Sequence, residues 1–282
     1  MAVSEAPTDF QNPTGPDPMT YCVGILVDAG LVMLADSRTN AGVDNISTFH
    51  KVTVFERRGE RVFVLLVAGN LSLSQSVVSL LREAVEEGAD RPNLFDVENM
   101  YEAARCVGDA IREVHARDAE HLEKFKMEFN VTMILGGQIK GERPRMFNIY
   151  PAGNFIEATQ DTCYFQIGEF KYGKPIIDRV INRGSRLQRA AKCGLVSMDS
   201  TMRSNLTVGP PISVVTVRTD EYKVSSHQII DADNEYFRTI RNRWGEALSQ
   251  AFRELPDPDW LETPGRNEAA QAAVEIPGSR KE

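Results

Sequence analysis

The fold of this chain is decided near its start, by the strand-like run Thr20–Val27, which reads TYCVGILV. Thr20 opens the run and carries a side-chain hydroxyl. If the chain begins at this residue, Thr20 also carries a free α-amine, so a nucleophile and its base come from one residue. If residue 19 stays attached, the amine is an amide and that chemistry is lost. Thr20 is therefore the first candidate catalytic residue.

Composition narrows the classes of partner. The chain has 282 residues, of which 32 are Lys or Arg and 40 are Asp or Glu, giving a net charge of −8. This acidic balance argues against nucleic acid or an anionic membrane surface as a partner. The apolar runs are too short for a membrane span, which needs about 18 apolar residues or more. Four scattered cysteines without CxxC spacing are expected as free thiols in the cytoplasm.

The chain divides into three predicted parts. Residues 1–19 are rich in proline and polar residues, so we expect a disordered extension or a segment that is removed. Residues 20–255 form the predicted compact domain. Residues 256–282 begin with Pro256-Asp257-Pro258 and are polar afterwards, so we expect a flexible tail.

Hydrophobic periodicity predicts strands, two helices, strands, two helices, strands and a final helix. The predicted strands are Thr20–Val27, Leu31–Asp36, Lys51–Glu56, Arg61–Ala68, Asn130–Gly136, Arg145–Tyr150, Phe155–Ala158, Tyr164–Ile167, Ile212–Arg218 and Val224–Ile230. The predicted helices are Ser72–Glu87, Met100–Leu122, Lys174–Val180, Leu187–Asp199 and Asp233–Leu255, with Asp231 or Asp233 as the last N-cap. Several strands are apolar on both faces, which favours two antiparallel sheets packed together, with helices outside. This α+β fold is a four-layer αββα sandwich.

Several short motifs together resemble proteasome β-type subunits. They are the opening run at Thr20, Ala35-Asp36-Ser37-Arg38, Lys51-Val52, Val67-Ala68-Gly69 and Gln166-Ile167-Gly168. Two longer stretches, Lys171–Pro175 (KYGKP) and Asp199–Asn205 (DSTMRSN), resemble in particular the bacterial proteasome-like family called Anbu, the ancestral β-subunit. The resemblance implies an N-terminal nucleophile hydrolase fold and a threonine peptidase.

The resemblance also implies a role for each matching residue. Thr20 would be the nucleophile, and its α-amine, which ordinarily titrates near pH ~7.7–8.0, would be the base. Lys51 would be the neighbouring cation that disfavours protonation of that amine and stabilises the developing alkoxide. Asp36 would hold Lys51 by a charge-assisted hydrogen bond. The backbone N–H of Gly69 would face the oxyanion.

The supporting residues depart from the family pattern. Gly168 matches the family at the end of its strand, but Glu169 and Phe170 follow where proteasome subunits commonly have a serine. Ser204 could hydrogen-bond the Thr20 amine, and Asp199 could replace a missing acid or simply end its helix. The sequence contains no motif with metal-ligand spacing and no glycine-rich phosphate loop, so we expect neither metal nor cofactor.

The predicted function is hydrolysis of peptides or unfolded proteins by a homo-oligomer of identical subunits, with an unfoldase or adaptor open as a further partner. Two alternatives remain at this stage. One is a catalytically weak or silent scaffold of the same fold, and the other is a non-peptidase amidase of the same hydrolase class. We expect translation to start at Met19, because methionine before a small residue is readily removed, whereas self-processing in this class usually follows a glycine.

Overall fold

The computed structural model describes residues 20–40, 46–86 and 92–260. The strands are β1 (Tyr21–Val27), β2 (Gly30–Asp36), β3 (Arg38–Asn40), β4 (Ile46–Thr48), β5 (Val52–Arg57), β6 (Arg61–Gly69), β7 (Val131–Ile139), β8 (Arg145–Ile149), β9 (Phe155–Glu157), β10 (Tyr164–Gly168), β11 (Ile212–Arg218) and β12 (Ser226–Ile230). The helices are α1 (Leu71–Glu86), α2 (Met100–Lys124), α3 (Lys174–Val180), α4 (Leu187–Ser204) and α5 (Glu235–Glu254).

Two five-stranded sheets form the centre of the fold. The first has the order β10-β1-β2-β11-β12 and the second has the order β5-β6-β7-β8-β9. Every pair of neighbouring strands in both sheets is antiparallel. Helix α4 packs on the first sheet and α3 packs against α4, whereas α1 and α2 pack on the second sheet. The predicted four-layer αββα sandwich is confirmed.

The two sheets meet through a shared apolar core. Cys22, Leu26 and Met33 of the first sheet pack with Val64 and Leu66 of the second, and all five are essentially inaccessible to solvent. Apolar strands of this kind can be buried on both faces because a helical layer covers the outer side. The core holds the sheets face to face, and it ends at the edge where Thr20 lies.

The first hairpin fixes which residues flank Thr20. Val27 pairs with Gly30 across a tight turn at Asp28 and Ala29, as the turn signal predicts. Gly30 has φ +139°, and a Cβ there would lie 2.0 Å from the carbonyl oxygen of Val217, so only glycine fits. The resulting register brings the start of β1 beside the end of β2, where Asp36 lies.

Some details of the predicted secondary structure are wrong. The predicted fourth helix ends at Asp199, whereas α4 continues to Ser204. The short strands β3 and β4, which pair with each other, are absent from the prediction. The side chain that caps α5 belongs to Asn234, whose Oδ1 accepts the backbone N–H of Phe237 at 3.0 Å, and not to Asp231 or Asp233.

The predicted disordered or removed segment, residues 1–19, lies outside the described residues, as does the predicted tail beyond residue 260. The chain divides into two compact units within α5, between Arg241 and Asn242, and every candidate site residue belongs to the first unit. In the described ranges, no helix combines the length and the apolar character needed to cross a membrane. Likewise, the described His, Cys, Asp and Glu side chains form no group of three that could hold a metal ion.

Candidate active site

Thr20 is buried where β1 begins, with only 7% of its surface exposed. Its carbonyl oxygen accepts the backbone N–H of Glu169 at 2.7 Å. Gly168 has φ +79°, and a Cβ there would lie 2.0 Å from the same carbonyl oxygen. A glycine is therefore required where the end of β10 meets Thr20. The sequence predicts Gly168 as a supporting residue, and the structure places it in contact with Thr20.

The predicted Asp36–Lys51 pair is present and buried. Lys51 Nζ lies 2.8 Å from Asp36 Oδ1, and the two side chains are 3% and 0% exposed. The same oxygen accepts the backbone N–H of Tyr21 at 3.0 Å. Lys51 Nζ also donates to the carbonyl oxygen of Arg38 at 2.7 Å. One carboxylate oxygen thus joins the ammonium of Lys51 to the peptide bond that follows Thr20.

A loop after α4 completes the environment of Asp36. The backbone N–H of Gly209 donates to Asp36 Oδ2 at 3.4 Å. A Cβ on Gly209 would lie 2.4 Å from the guanidinium carbon of Arg38, so a larger residue here would require the end of the Arg38 side chain to move. Burial raises the pKa of the Asp36 carboxyl above its ordinary value, and the ammonium of Lys51 and the two backbone N–H groups offset part of that rise.

Cys22 is the other nucleophilic side chain beside Thr20. It is fully buried, and its Sγ donates to the carbonyl oxygen of Val67 at 3.5 Å. Burial raises the pKa of the Cys22 thiol well above its ordinary value. Because the thiolate and not the thiol is the nucleophile, the buried Cys22 thiol is a poor nucleophile at neutral pH.

A buried hydrogen-bond network anchors β1 to the outer helical layer. The hydroxyl of Tyr21 donates to Ser197 Oγ at 3.0 Å and accepts from Gln166 Nε2 at 2.6 Å. Ser197 Oγ donates in turn to the carbonyl oxygen of Gly194 at 2.7 Å. Burial raises the pKa of the Tyr21 phenol, so it stays neutral. This network holds the residue that follows Thr20, and the sequence gives no signal for its long-range partners.

Gly69 ends β6 with φ +101°. A Cβ at this position would lie 2.2 Å from the carbonyl oxygen of Asn130, so the conformation and the space both require glycine. The next residue, Asn70, caps α1: its Oδ1 accepts the backbone N–H of Ser72 at 3.0 Å. The turn between β6 and α1 is therefore held against Asn130, and the helix that follows it is capped.

The other two predicted supporting residues lie on α4. Asp199 is 1% exposed, and its carboxylate pairs with Arg241 at 2.7 Å and with Arg203 at 3.4 Å. Ser204 is exposed at the end of the helix. Their roles beside Thr20 stay predictions, and each oxygen of the Asp199 carboxylate faces an arginine.

Comparison with known proteins agrees with this architecture, although no family model matches the chain. An Anbu (Gly-1) mutant from Hyphomicrobium sp. strain MC1 is 53% identical, with a TM-score of 0.80 over 85% of this chain and 99% of that one. The helical assembly of the Anbu complex from Pseudomonas aeruginosa is 42% identical, with a TM-score of 0.82 over 86% of this chain and 100% of that one. A proteasome subunit beta from Methanopyrus kandleri is 26% identical over 204 residues, which are 72% of this chain and 88% of that one.

The fold, with Thr20 at the start of a central strand and a buried Asp36–Lys51 pair beside it, is that of a proteasome-like hydrolase of the N-terminal nucleophile class. Within that class, the similarity to solved structures extends over nearly the whole length of each relative. The chain belongs to the Anbu (ancestral β-subunit) family.

The ion pair predicts a large effect of Asp36→Asn on stability. The substitution leaves the buried Lys51 ammonium without a counter-charge, which typically costs about 3–5 kcal/mol. We expect the free energy of unfolding, measured in urea on the same chain, to fall by about this amount.

Glu120→Gln is the matched control, because Glu120 pairs with Lys124 at 2.7 Å on the exposed face of α2. This variant should unfold at the urea concentration of the parent, since exposed pairs contribute little. Equal unfolding midpoints for Asp36→Asn and the parent would contradict the account of the pair.

Proposed function

We propose that this chain is a threonine peptidase whose active form begins at Thr20. The observation that carries the proposal is the buried Lys51–Asp36 pair, which is joined through one carboxylate oxygen to the backbone directly after Thr20. Burial of this kind strengthens the electrostatic effect of Lys51 on the neighbouring groups. Membership of a proteasome-like hydrolase family supports the same reaction.

The reaction follows from the two groups of an N-terminal threonine. The Oγ of Thr20 attacks the substrate carbonyl carbon, and the α-amine takes the hydroxyl proton, directly or through a water. The proton then passes to the leaving amine of the substrate, and an ester on Thr20 remains. Water attacks the ester, the α-amine takes its proton, and release of the acid product restores the hydroxyl.

Lys51 and Asp36 tune this chemistry. A positive charge at Lys51 disfavours protonation of the Thr20 amine, so more of the amine is available as a base at neutral pH. The same charge stabilises the alkoxide that develops on Oγ. Asp36 fixes Lys51 by a charge-assisted hydrogen bond of 2.8 Å, and the carbonyl of Arg38 fixes it from a second direction at 2.7 Å.

Gly69 is the proposed oxyanion donor. Its backbone conformation, φ +101°, is fixed by the close approach to Asn130 and by the capped helix that follows. A donor whose direction is set in advance stabilises the tetrahedral intermediate without reorganisation, and removing such a donor typically costs on the order of 10²–10³ in rate. We place the oxyanion at this turn.

A cavity gives the substrate a place to bind. It has a volume of about 370 Å³ and lies between β5, β6 and α1. Its lining includes His50 and Val52, on either side of Lys51 in the chain, together with Val67, Val78 and Arg82. Mixed apolar and polar walls suit one side chain of a peptide, so we propose that this cavity receives a substrate side chain next to the bond that is cut.

The test uses a peptide epoxyketone, which forms a stable ring only with a residue that carries both a hydroxyl and a free amine. A chain prepared to begin at Thr20 should gain the mass of one inhibitor, and peptide mapping should place it on Thr20. Thr20→Ala should gain none, because it lacks the nucleophile. Thr20→Ser keeps both reactive groups and should react.

The chain that retains residues 1–19 is the matched control, since its Thr20 nitrogen is an amide. It should not react until those residues are removed. If the chain that begins at Thr20 folds and gains no mass, the peptidase proposal is wrong and a silent scaffold is favoured. Reaction with the epoxyketone together with hydrolysis of small amides but of no peptide would favour the amidase.

We also propose that the protein works as a homo-oligomer. Support comes from the Pseudomonas aeruginosa relative, whose structure is a helical assembly of the Anbu complex. Sedimentation velocity of the purified chain should give species heavier than the 31.5 kDa monomer at micromolar concentration. A single species with the mass of the monomer would contradict self-assembly.

A further inference from the structure

Glu169 carries a buried carboxylate that is only half satisfied. The residue is 4% exposed and directly follows β10. Its Oε2 accepts from Asn205 Nδ2 at 3.3 Å. Its Oε1 has no hydrogen-bond partner in the described part of the chain. The nearest cation on its own segment is Lys171, whose Nζ is 3.9 Å from Oε1 and whose side chain is 66% exposed.

This half-satisfied carboxylate is unfavourable unless a further partner binds it. Burying a charge costs a large free energy unless the charge is paired and hydrogen-bonded. Asn205 is neutral, and its own Oδ1 is occupied by the backbone N–H and the hydroxyl of Thr207, at 2.9 and 2.6 Å, so the amide is held in place. Lys171 is exposed and beyond hydrogen-bond distance. Glu169 therefore has room for one cationic donor on Oε1.

The backbone brings Glu169 to Thr20. Tyr21 pairs with Gly168 in the β1–β10 ladder, so Glu169 stands opposite Thr20, and its N–H donates to the carbonyl oxygen of Thr20 at 2.7 Å. Opposed residues of an antiparallel pair have Cβ atoms about 4.5–5.5 Å apart. The backbone thus places Glu169 on the segment that is hydrogen-bonded to Thr20, the position from which its flexible side chain can approach the α-nitrogen.

We propose that Glu169 is a positioning residue that binds the free α-amino group of Thr20 through Oε1. The inference rests on the proposed function, because only a chain that begins at Thr20 has this amine. An α-ammonium is a cationic hydrogen-bond donor, which is the partner that Oε1 lacks. Binding fixes the amine beside the hydroxyl of the same residue, where it must lie to take the proton.

The contact between Glu169 and the Thr20 amine gives the site a second influence on the protonation of that amine. Lys51 disfavours the protonated amine, whereas the negative charge of Glu169 favours it. Among the described neighbours of Thr20 and Glu169, Asp36 is paired with Lys51, and the exposed Lys171 lies 3.9 Å from Glu169. Burial raises the pKa of the Cys22 thiol and of the Tyr21 phenol, which keeps both protonated. Loss of the Glu169 charge should therefore lower the pH at which the amine loses its proton, by about one pH unit.

The experiment measures the Thr20 amine directly. Periodate cleaves an N-terminal threonine between its amine-bearing and hydroxyl-bearing carbons, and it needs the deprotonated amine. Its rate, followed by mass spectrometry between about pH 5 and pH 10, gives the pH midpoint of the amine, whose ordinary value lies inside that range. Peptide epoxyketone labelling over the same range gives a second midpoint that depends on the active site.

The variants are chains beginning at Thr20, in their assembled form, with Glu169→Gln, Glu169→Asp and the control Glu123→Gln on the exposed end of α2. Glutamine keeps the size of Glu169 and an acceptor for Asn205, but it has no charge. We expect both midpoints to fall by about one pH unit in Glu169→Gln, to recover in Glu169→Asp and to be unchanged in Glu123→Gln. Epoxyketone labelling at the plateau should slow roughly tenfold or more in Glu169→Gln, because the amine is less well oriented.

The outcomes separate the two proposals. An unchanged periodate midpoint in folded Glu169→Gln overturns the positioning role, even if labelling slows. If the parent is cut by periodate but never labelled by the epoxyketone, the peptidase proposal fails. In that case a lower periodate midpoint in Glu169→Gln than in the parent would still support contact between Glu169 and the amine. If Glu169→Gln does not fold, Glu169→Asp and Lys171→Gln decide. The positioning role is supported when both variants keep the periodate midpoint of the parent. The role is overturned when Glu169→Asp has the midpoint of an unstructured N-terminal threonine peptide.

Discussion

The site depends on one buried charge pair. Asp36 ends a strand of the first sheet, and Lys51 directly precedes the first strand of the second, so their 2.8 Å contact joins the two sheets at the edge where Thr20 lies. The pair is shielded from solvent, and its carboxylate is satisfied by two backbone N–H groups besides the ammonium. A buried pair with these extra hydrogen bonds can offset its desolvation.

The surrounding backbone explains why the pair stays in one geometry. Gly168 allows a close approach to the carbonyl of Thr20 that a Cβ would prevent, and the backbone N–H of Gly209 donates to the carboxylate of Asp36. Hydrogen bonds of Tyr21 to Ser197 and Gln166 hold β1 against its neighbours. Thr20 therefore lies directly before a strand that is held by hydrogen bonds on both sides, as the proposed catalytic role requires.

Much of the fold is readable from the sequence, because the central strands are long, apolar and separated by clear turn residues. Sequence patterns among neighbouring residues do not predict the parts of the structure that depend on contacts between residues far apart in the chain. Helix α4 continues past Asp199, whose buried carboxylate is paired with Arg203 one turn further along the helix and with Arg241 of α5. The sequence does not reveal the pairing with Arg241. The resemblance identifies Thr20, Asp36 and Lys51, but Glu169 is visible in the sequence only as a departure from the pattern. Its burial beside Thr20 follows from strand register, which the sequence does not specify.

The central claim is that the hydroxyl of Thr20 reacts within a site organised by Lys51 and Asp36. A crystal structure of the chain beginning at Thr20, soaked with a peptide boronate, tests it most directly. The account predicts a tetrahedral boron bonded to Thr20 Oγ, one boronate oxygen facing the N–H of Gly69, and an intact Lys51–Asp36 contact. A free Thr20 hydroxyl with the boronate bound elsewhere, or bonded to another side chain, would contradict it.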